Sequence, residues 1–491
     1  MIIIGAGMGG LAAGIYGQLN GYQTRIFEMH NIPGGQCTAW KRHGYTFDVC
    51  IHHLFGCSPA TRINRLWQEL GAMPRELAYT TECVSVASPD GRLFHDYYDP
   101  DRLEAHLLDL SPSDAPLIKE YVNAIRVFAR MDIWGALMFG SGGEKLKSLW
   151  SILPAYRSFR YNMQQYAARF SDPFLRQAFP LLVYSLPDAP FFLHLARKAN
   201  GFNRDVAWPV GGAAQLARSI ETRYLALGGE VHYRQRVEKI ITRNRKAVGV
   251  RLEDGTEDYA DIVISNADGR KTILNMLDGM YMDKRIREYC GEPLDETNWA
   301  AHVFLGVSRD LSREPSALIM LLDRPVQIAG HSHKSLEMQL YGFDKTLAPE
   351  GKGVIKVELF STYSYWRELY NNKAAYDEEK ARTAGLVIDL LEKRFAGIKE
   401  QVEVIDVPTL VTWERFMGGT HGFVNMPNKK MNLFTGFVNQ ALDSRLPGLD
   451  NFYLVGAWAT SLGALFANAQ SGKTVIKDIC QRDGKRFSVL G

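Results

Sequence analysis

The residues best placed for chemistry come at the start of the chain, and they are glycines. Gly5-Ala6-Gly7-Met8-Gly9-Gly10 has the G-x-G-x-x-G spacing. Gly5 permits a tight turn, Gly7 lets a pyrophosphate approach the backbone, and Gly10 lets a helix pack closely on a strand. Glu28 lies 23 residues after Gly5, where an acid can bond a ribose hydroxyl. The chemistry implied is capture of a dinucleotide. A second glycine pair, Gly34-Gly35, follows in Asn31-Ile32-Pro33-Gly34-Gly35, and then Gly44-Tyr45-Thr46-Phe47-Asp48. An NAD-binding unit does not need that second pair. Cys37, Cys50, Cys57, Cys83, Cys290 and Cys480 form no CxxC pair, so no metal site is expected.

Such residues work only if strand, turn and helix hold them in register. Residues 1–4 read as a strand, 11–20 as an Ala- and Leu-rich helix with Gly21 at its C′ position, and 24–28 as a second strand ending in the acid. The 491 residues predict two to four domains. Hydrophobic residues at 46% and charged residues at 23% are those of a globular chain, which excludes disorder, collagen and coiled coil. Lys plus Arg total 57 against 54 acids, a net +3 that predicts no nucleic-acid partner. The first Lys or Arg is Arg25, so residues 1–16 lack the charged start of a secretory signal. No run reaches the roughly 18–20 apolar residues of a membrane span. A cytoplasmic location is expected, with membrane association possible only from the surface.

Three later segments extend the pattern. Pro209-Val210-Gly211-Gly212 leads into a helical stretch over 213–227, closed by Gly228-Gly229. Short strands are expected in 230–237, 239–242, 247–253 and 261–265, the last ending Ser265-Asn266-Ala267-Asp268. Near the C-terminus a strand over 452–455 precedes Gly456, Gly463 and a helix through Gly472 to Ile479. This order resembles the phytoene desaturase-like flavoproteins, the family of bacterial carotenoid desaturases, carotenoid isomerases and retinol saturases. The runs PVGGAAQLARSIETRYLALGGEVHYRQRVEKI, ADIVISNAD and TLVTWERFMGGTHG carry the resemblance most specifically, over about half the chain. Asp48-Val49-Cys50-Ile51-His52-His53-Leu54-Phe55-Gly56 is most similar to the retinol saturase branch.

The resemblance implies a fold and a cofactor. The fold is α/β: a Rossmann-type FAD-binding domain of the two-dinucleotide-binding-domain class, with an inserted mixed-sheet substrate domain and a helical lid. The FAD-binding domain would take residues 1–80, 206–296 and 405–491, the lid and part of the substrate domain 81–205, and the rest of the substrate domain 297–404. By position, Gly5, Gly7, Met8, Gly9, Gly10, Glu28 and Met29 would hold the pyrophosphate and adenosine ribose of FAD, with Gly34, Gly35 and Gln36 beside them. Val237 would meet the adenine. Gly456, Ala457 and Gly463 match the second FAD motif, and Leu465 and Phe466 would open a helix whose N–H groups face the flavin. Gln36 stands where many relatives have Arg, and Ser461-Leu462-Gly463-Ala464 replaces a Pro-Gly-Gly-Gly-like turn.

The same resemblance directs attention to proton handlers, because His transfers protons near neutral pH. These are His52 first, by its place in the family pattern, then His53 and His421, with Glu414 and Arg415 near His421 in sequence. Arg415 would hold a polar end group or adjust the flavin's surroundings. Gly140-Ser141-Gly142-Gly143 lacks a preceding strand and a ribose acid, and reads as a loop. With no second nucleotide fold expected, the electron partner would be a quinone, oxygen or a redox protein. Residues 131–194 are dense in aromatic groups interleaved with Lys145, Lys147, Arg157, Arg160 and Arg169, as in a helical lid with an ordinary packed core or, alternatively, one with an amphipathic face that touches lipid. Strands over 300–307, 336–342 and 353–360, followed by a helix over 374–395, would supply one aromatic wall of an elongated apolar pocket.

The expected activity is FAD-dependent desaturation or saturation of a long apolar substrate such as a carotenoid, retinoid or other isoprenoid. Redox-neutral double-bond isomerisation with reduced FAD is the first alternative, and amine oxidase-like chemistry on a small substrate the second.

Overall fold

A computed structural model describes residues 1–291, 297–420, 441–460 and 464–489. The strands Ile2–Ile4, Arg25–Glu28, Glu230–Tyr233, Val263–Ser265 and Phe452–Leu454 form one parallel sheet. Three of them are fully buried runs such as Ile2-Ile3-Ile4, as expected of a parallel sheet covered on both faces. The helices Met8–Leu19 and Leu465–Arg482 lie against each other on this sheet, and Gly472 lets them approach: a Cβ there would stand 2.5 Å from the Gly9 carbonyl oxygen. Sequence segments from both ends of the chain thus build one Rossmann-type nucleotide fold, as the motifs predict.

A second, seven-stranded mixed sheet stands beside it. Its strands run in the order Val402–Asp406, Thr297–Val307, Gly353–Thr362, His331–Leu340, Ala317–Ile328, Glu82–Ala87, Leu93–Tyr97. The sequence reading finds three of these in the later insertion and misses Ala317–Ile328, whose C-terminal half is polar and exposed. Helices between Pro100 and Phe202 cover one side as a lid, with Phe170, Phe179, Phe191, Tyr121 and Tyr166 packed ring against ring. One continuous cluster of buried side chains runs from Ile3 through Phe47 and Val357 to Phe191.

Two expectations need correction. The segment Gly140–Gly143 is not simply a loop: the helix Gly142–Ile152 starts inside it. Ser141 and Glu144 form a reciprocal capping box, and glycines are tolerated in a first turn whose N–H groups have no intrahelical partner in any case. The mixed sheet's inner face is also less aromatic than expected. The Gly353–Thr362 strand is buried almost throughout, yet Lys356 and Glu358 alternate with Ile355, Val357 and Leu359 and so share one face.

Candidate functional site

The opening turn is fastened by the acid that follows it. Glu28 accepts from the Ala6 N–H through Oε2 at 2.7 Å and from the His30 N–H through Oε1 at 2.8 Å. The Gly34 N–H returns to the Ala6 carbonyl at 2.8 Å, so the second glycine pair lies against the first. At Gly10 a Cβ would meet the Gly5 carbonyl oxygen at 2.1 Å, which leaves no residue but glycine. Asn266, at the end of the fourth strand in sequence, sits between the two motifs. Its amide borders Gly7, Gly9 and Gly456, and the Gly456 N–H donates to Ser471 Oγ at 2.8 Å with Gly456 at φ +85°. On the outer side, the Gln235 N–H bonds the Glu28 carbonyl at 2.9 Å, and this seats buried Val237 two residues beyond.

Helix ends give the test of fit for FAD. The helix Gly212–Ala226 has its N-terminus satisfied from a distance, because Asp48 Oδ2 accepts from the Ala213 N–H at 2.5 Å. Burial pushes this carboxyl up to about 6, against the pull of that hydrogen bond and of Lys356. By contrast, Met8–Leu19 and Leu465–Arg482 begin at Gly7 and Ala464 with no side-chain cap. Two open helix N-termini, on adjacent helices, suit a pyrophosphate and the carbonyl edge of a flavin ring. Gly5, Gly7, Met8, Gly9 and Gly10 form the first, with Gly35 against Gly7 and Glu28 bonded to Ala6, while Leu465 and Phe466 open the second and Gly456 lies beside Gly9. Gly463 and His421 lie outside the described residues.

His52 and His53 follow the Tyr45–Asp48 strand and lead to Phe55, whose ring packs on Phe466 with centroids 6.1 Å apart. This contact joins the histidine segment to the start of the terminal helix. Beyond it lies a small, partly open cavity of about 40 Å³, bounded by His52, Cys83, Val84, Leu181, Leu182, Tyr184 and Arg197 on one side. Leu318, Ile319, Glu337, Met338, Gln339 and Glu358 of the mixed sheet form the other.

Polar groups from several separate elements line about half of this cavity. His52 Nε2 lies 2.9 Å from Glu358 Oε1, and Lys356 Nζ lies 2.7 Å from the same oxygen. Burial opposes the charge on Glu358, but His52 and Lys356 outweigh it and hold the carboxyl well below the usual range. Burial lowers His52 against the opposing Glu358 charge, with Lys356 and Arg197 adding to the effect, so its imidazole is neutral near pH 7. His53 is lowered further, by burial and then by Arg197, whose Nη2 lies 3.3 Å from His53 Nδ1. Arg197 also lies over the Tyr184 ring at 5.3 Å.

The sequence reading singled out His52 but not Lys356, Glu358, Glu337 or Arg197. Two charges in alternation inside VIKVEL were the available signal, since a strand otherwise apolar on both faces buries charge only with partners. Arg415 is not brought to the cavity. It is exposed on the helix Leu410–Met417, over Tyr370, while its neighbour Phe416 packs on His30 and a Cβ at Gly418 would stand 2.8 Å from Met29 Sδ.

Comparison with known proteins agrees with this architecture. The family description NAD(P)-binding Rossmann-like domain matches residues 3–70. Prolycopene isomerase 1, chloroplastic, of an Oncidium hybrid cultivar is 27% identical over 475 residues, covering 87% of this chain and 75% of its own. Phytoene desaturase (neurosporene-forming) of Rhodobacter capsulatus is 26% identical over 324 residues, covering 62% and 58%. Among solved structures, an oxidoreductase from Methanosarcina mazei superposes with a TM-score of 0.61 at 18% identity, over 97% of this chain and 99% of that one. The resemblance to the phytoene desaturase-like flavoproteins holds. With it stand the α/β flavoprotein fold, FAD as the cofactor and an enzymatic role. Among the described residues, no helix is long and apolar enough to cross a membrane.

Proposed function

We propose that this chain, a phytoene desaturase-like flavoenzyme, acts on the carbon–carbon double bonds of a long apolar polyene of the carotenoid class, and that its reaction is redox-neutral cis–trans isomerisation. Desaturation or saturation of the same substrate is the second reading. The observation that carries the choice is the extent of likeness: the prolycopene isomerase match runs through 87% of the chain, the desaturase match through 62%. The apolar side chains Val84, Leu181, Leu182, Leu318, Ile319 and Met338 on the cavity wall support an apolar substrate.

Bound FAD supplies a hydride acceptor or donor and, when reduced, a negative charge beside the substrate. The protein's own residues bind and orient. Gly5 to Gly10 and Glu28 would hold the pyrophosphate and ribose, Val237 the adenine, and Leu465 and Phe466 the flavin edge. His52, oriented by Glu358, would stand at the substrate side. Residues 1–80, 206–296 and 405–491 would form the FAD-binding domain, 81–205 the lid with part of the substrate domain, and 297–404 the remainder. An amphipathic lid face supports delivery of the substrate from a membrane surface, with a quinone, oxygen or a redox protein setting the flavin's oxidation state.

The test is anaerobic incubation of FAD-loaded, pre-reduced protein with prolycopene. Conversion to the all-trans isomer with no net change in the flavin spectrum is expected. Steady flavin reduction by a more saturated carotenoid, with no isomerisation, would transfer the assignment to desaturation. A purified chain that stays colourless and takes up no FAD would remove both.

A further inference from the structure

The mixed sheet sets two glutamates face to face. In the antiparallel register of His331–Leu340 with Gly353–Thr362, Glu337 is the direct partner of Glu358. Directly opposed residues share a face, and like charges there are destabilising. On its other side Glu358 is opposed by His302 of the neighbouring strand, while Glu337 is opposed by Ile319. The row across the sheet therefore passes from basic to acidic to apolar, with Glu337 at the apolar end.

The two acids are not equivalent. Glu358 is held by His52 and Lys356 and carries the charge. The side chain of Glu337 is half-buried, makes neither a hydrogen bond nor an ion pair among the described residues, and borders the cavity. Burial and then the Glu358 charge raise its carboxyl well above the usual range. Around it stand Glu358 from the next strand, His52 from the segment after Asp48, Arg197 from the helix Phe191–Phe202, and Tyr184 and Cys83. An unpaired carboxyl in such a place avoids the cost of a buried charge by keeping its proton.

We propose that Glu337 is the proton donor of this cavity, protonating one carbon of a bound polyene and taking the same proton back, with Glu358, directly opposite it in the sheet, as its positioning residue. This deepens the isomerase reading and rests on it. In the forward step the Glu337 O–H bond breaks and a C–H bond forms, using the π electrons of one cis double bond. The positive charge spreads over the remaining conjugated double bonds, while the Glu337 carboxylate and Arg197 line the same cavity. The former double bond rotates as a single bond. The proton then returns to Glu337 and the trans double bond re-forms, so no electrons are gained or lost.

Two measurements test this. The first needs no substrate: infrared difference spectra of wild-type protein against Glu337→Gln, in water and heavy water, should show a protonated-carboxyl C=O band in the wild type alone. The second compares turnover. Glu337→Gln should retain FAD and prolycopene binding while isomerisation falls about 100-fold, the scale of a lost general acid. Glu337→Asp should recover part of the rate, and wild-type turnover should slow in heavy water. Absence of the carboxyl band, or full activity in Glu337→Gln, overturns the proposal. A wild-type enzyme that shows the band yet isomerises no polyene overturns the isomerase reading first, and the donor role falls with it.

Discussion

Glu28 shows how one side chain can serve two purposes. Both of its oxygens already accept backbone N–H groups, from Ala6 and His30, so the acid shapes the glycine turn in addition to the ribose contact proposed for it. Glu28→Gln puts an amide N–H₂ where one of those N–H donors needs an acceptor. An unsatisfied buried donor costs about 1–3 kcal/mol, which corresponds to FAD binding weaker by roughly 5- to 150-fold. The visible flavin absorbance per protein after gel filtration, and titration of the stripped protein with FAD, measure this directly; unchanged stoichiometry and affinity would remove Glu28 from the site. The residue is legible in the sequence because its role depends on local spacing from Gly5. Glu337 is not, because its meaning comes from lying opposite Glu358, and strand register depends on contacts 21 residues apart in sequence that no local pattern records.

Among elements, the helix Gly142–Ile152 and the turn after it carry an unusual surface. Leu146, Leu149, Trp150, Leu153 and Tyr156 are 46–66% exposed, and the first four follow the i, i+3, i+4, i+7 spacing of one helix face. Lys145, Lys147, Arg157 and Arg160 flank them and are exposed. An apolar stripe edged by cations suits anionic lipid at the interface. Each such side chain contributes roughly 1.5–3 kcal/mol on full burial. The double variant Leu149→Glu, Trp150→Glu should therefore bind phosphatidylserine-containing vesicles roughly tenfold more weakly or worse, in sedimentation with the vesicles, while its rate on detergent-dispersed polyene stays unchanged. Equal sedimentation of variant and parent would assign this face to something other than lipid. The aromatic and basic residues of this stretch can be read from the sequence. Which of them face outward cannot, because Phe159, Tyr166, Phe170 and Phe179 from the same stretch are buried in the lid.

At the scale of the whole molecule, the lid and the nucleotide fold share one core, so a titration buried in the lid bears on the stability of the entire chain. His194 is wholly buried there, with Nε2 at 2.6 Å from the Tyr121 hydroxyl and Asp96 and Lys198 beside it. Burial lowers it from 6.5 to about 4, with Asp96 opposing and Lys198 and Arg197 assisting. The unfolded chain takes up this proton as the pH falls through 6.5, and the folded chain only near 4. Between those values the unfolded state binds more protons, so stability is full above 6.5 and falls by about 1.4 kcal/mol per pH unit on acidification. Asp48 and Asp205, each raised to about 6 mainly by burial, act in the opposite sense over the same range. The absolute profile therefore mixes signs, and only a difference between variants isolates the histidine. His194→Gln keeps a partner for Tyr121 and removes the titration. Urea unfolding at pH 7.5 and 5.0 should show a parent-minus-variant stability that decreases by about 2 kcal/mol at the lower pH. If the difference stays constant, His194 does not remain neutral in the folded lid, and its proton is already bound in the native state at pH 5.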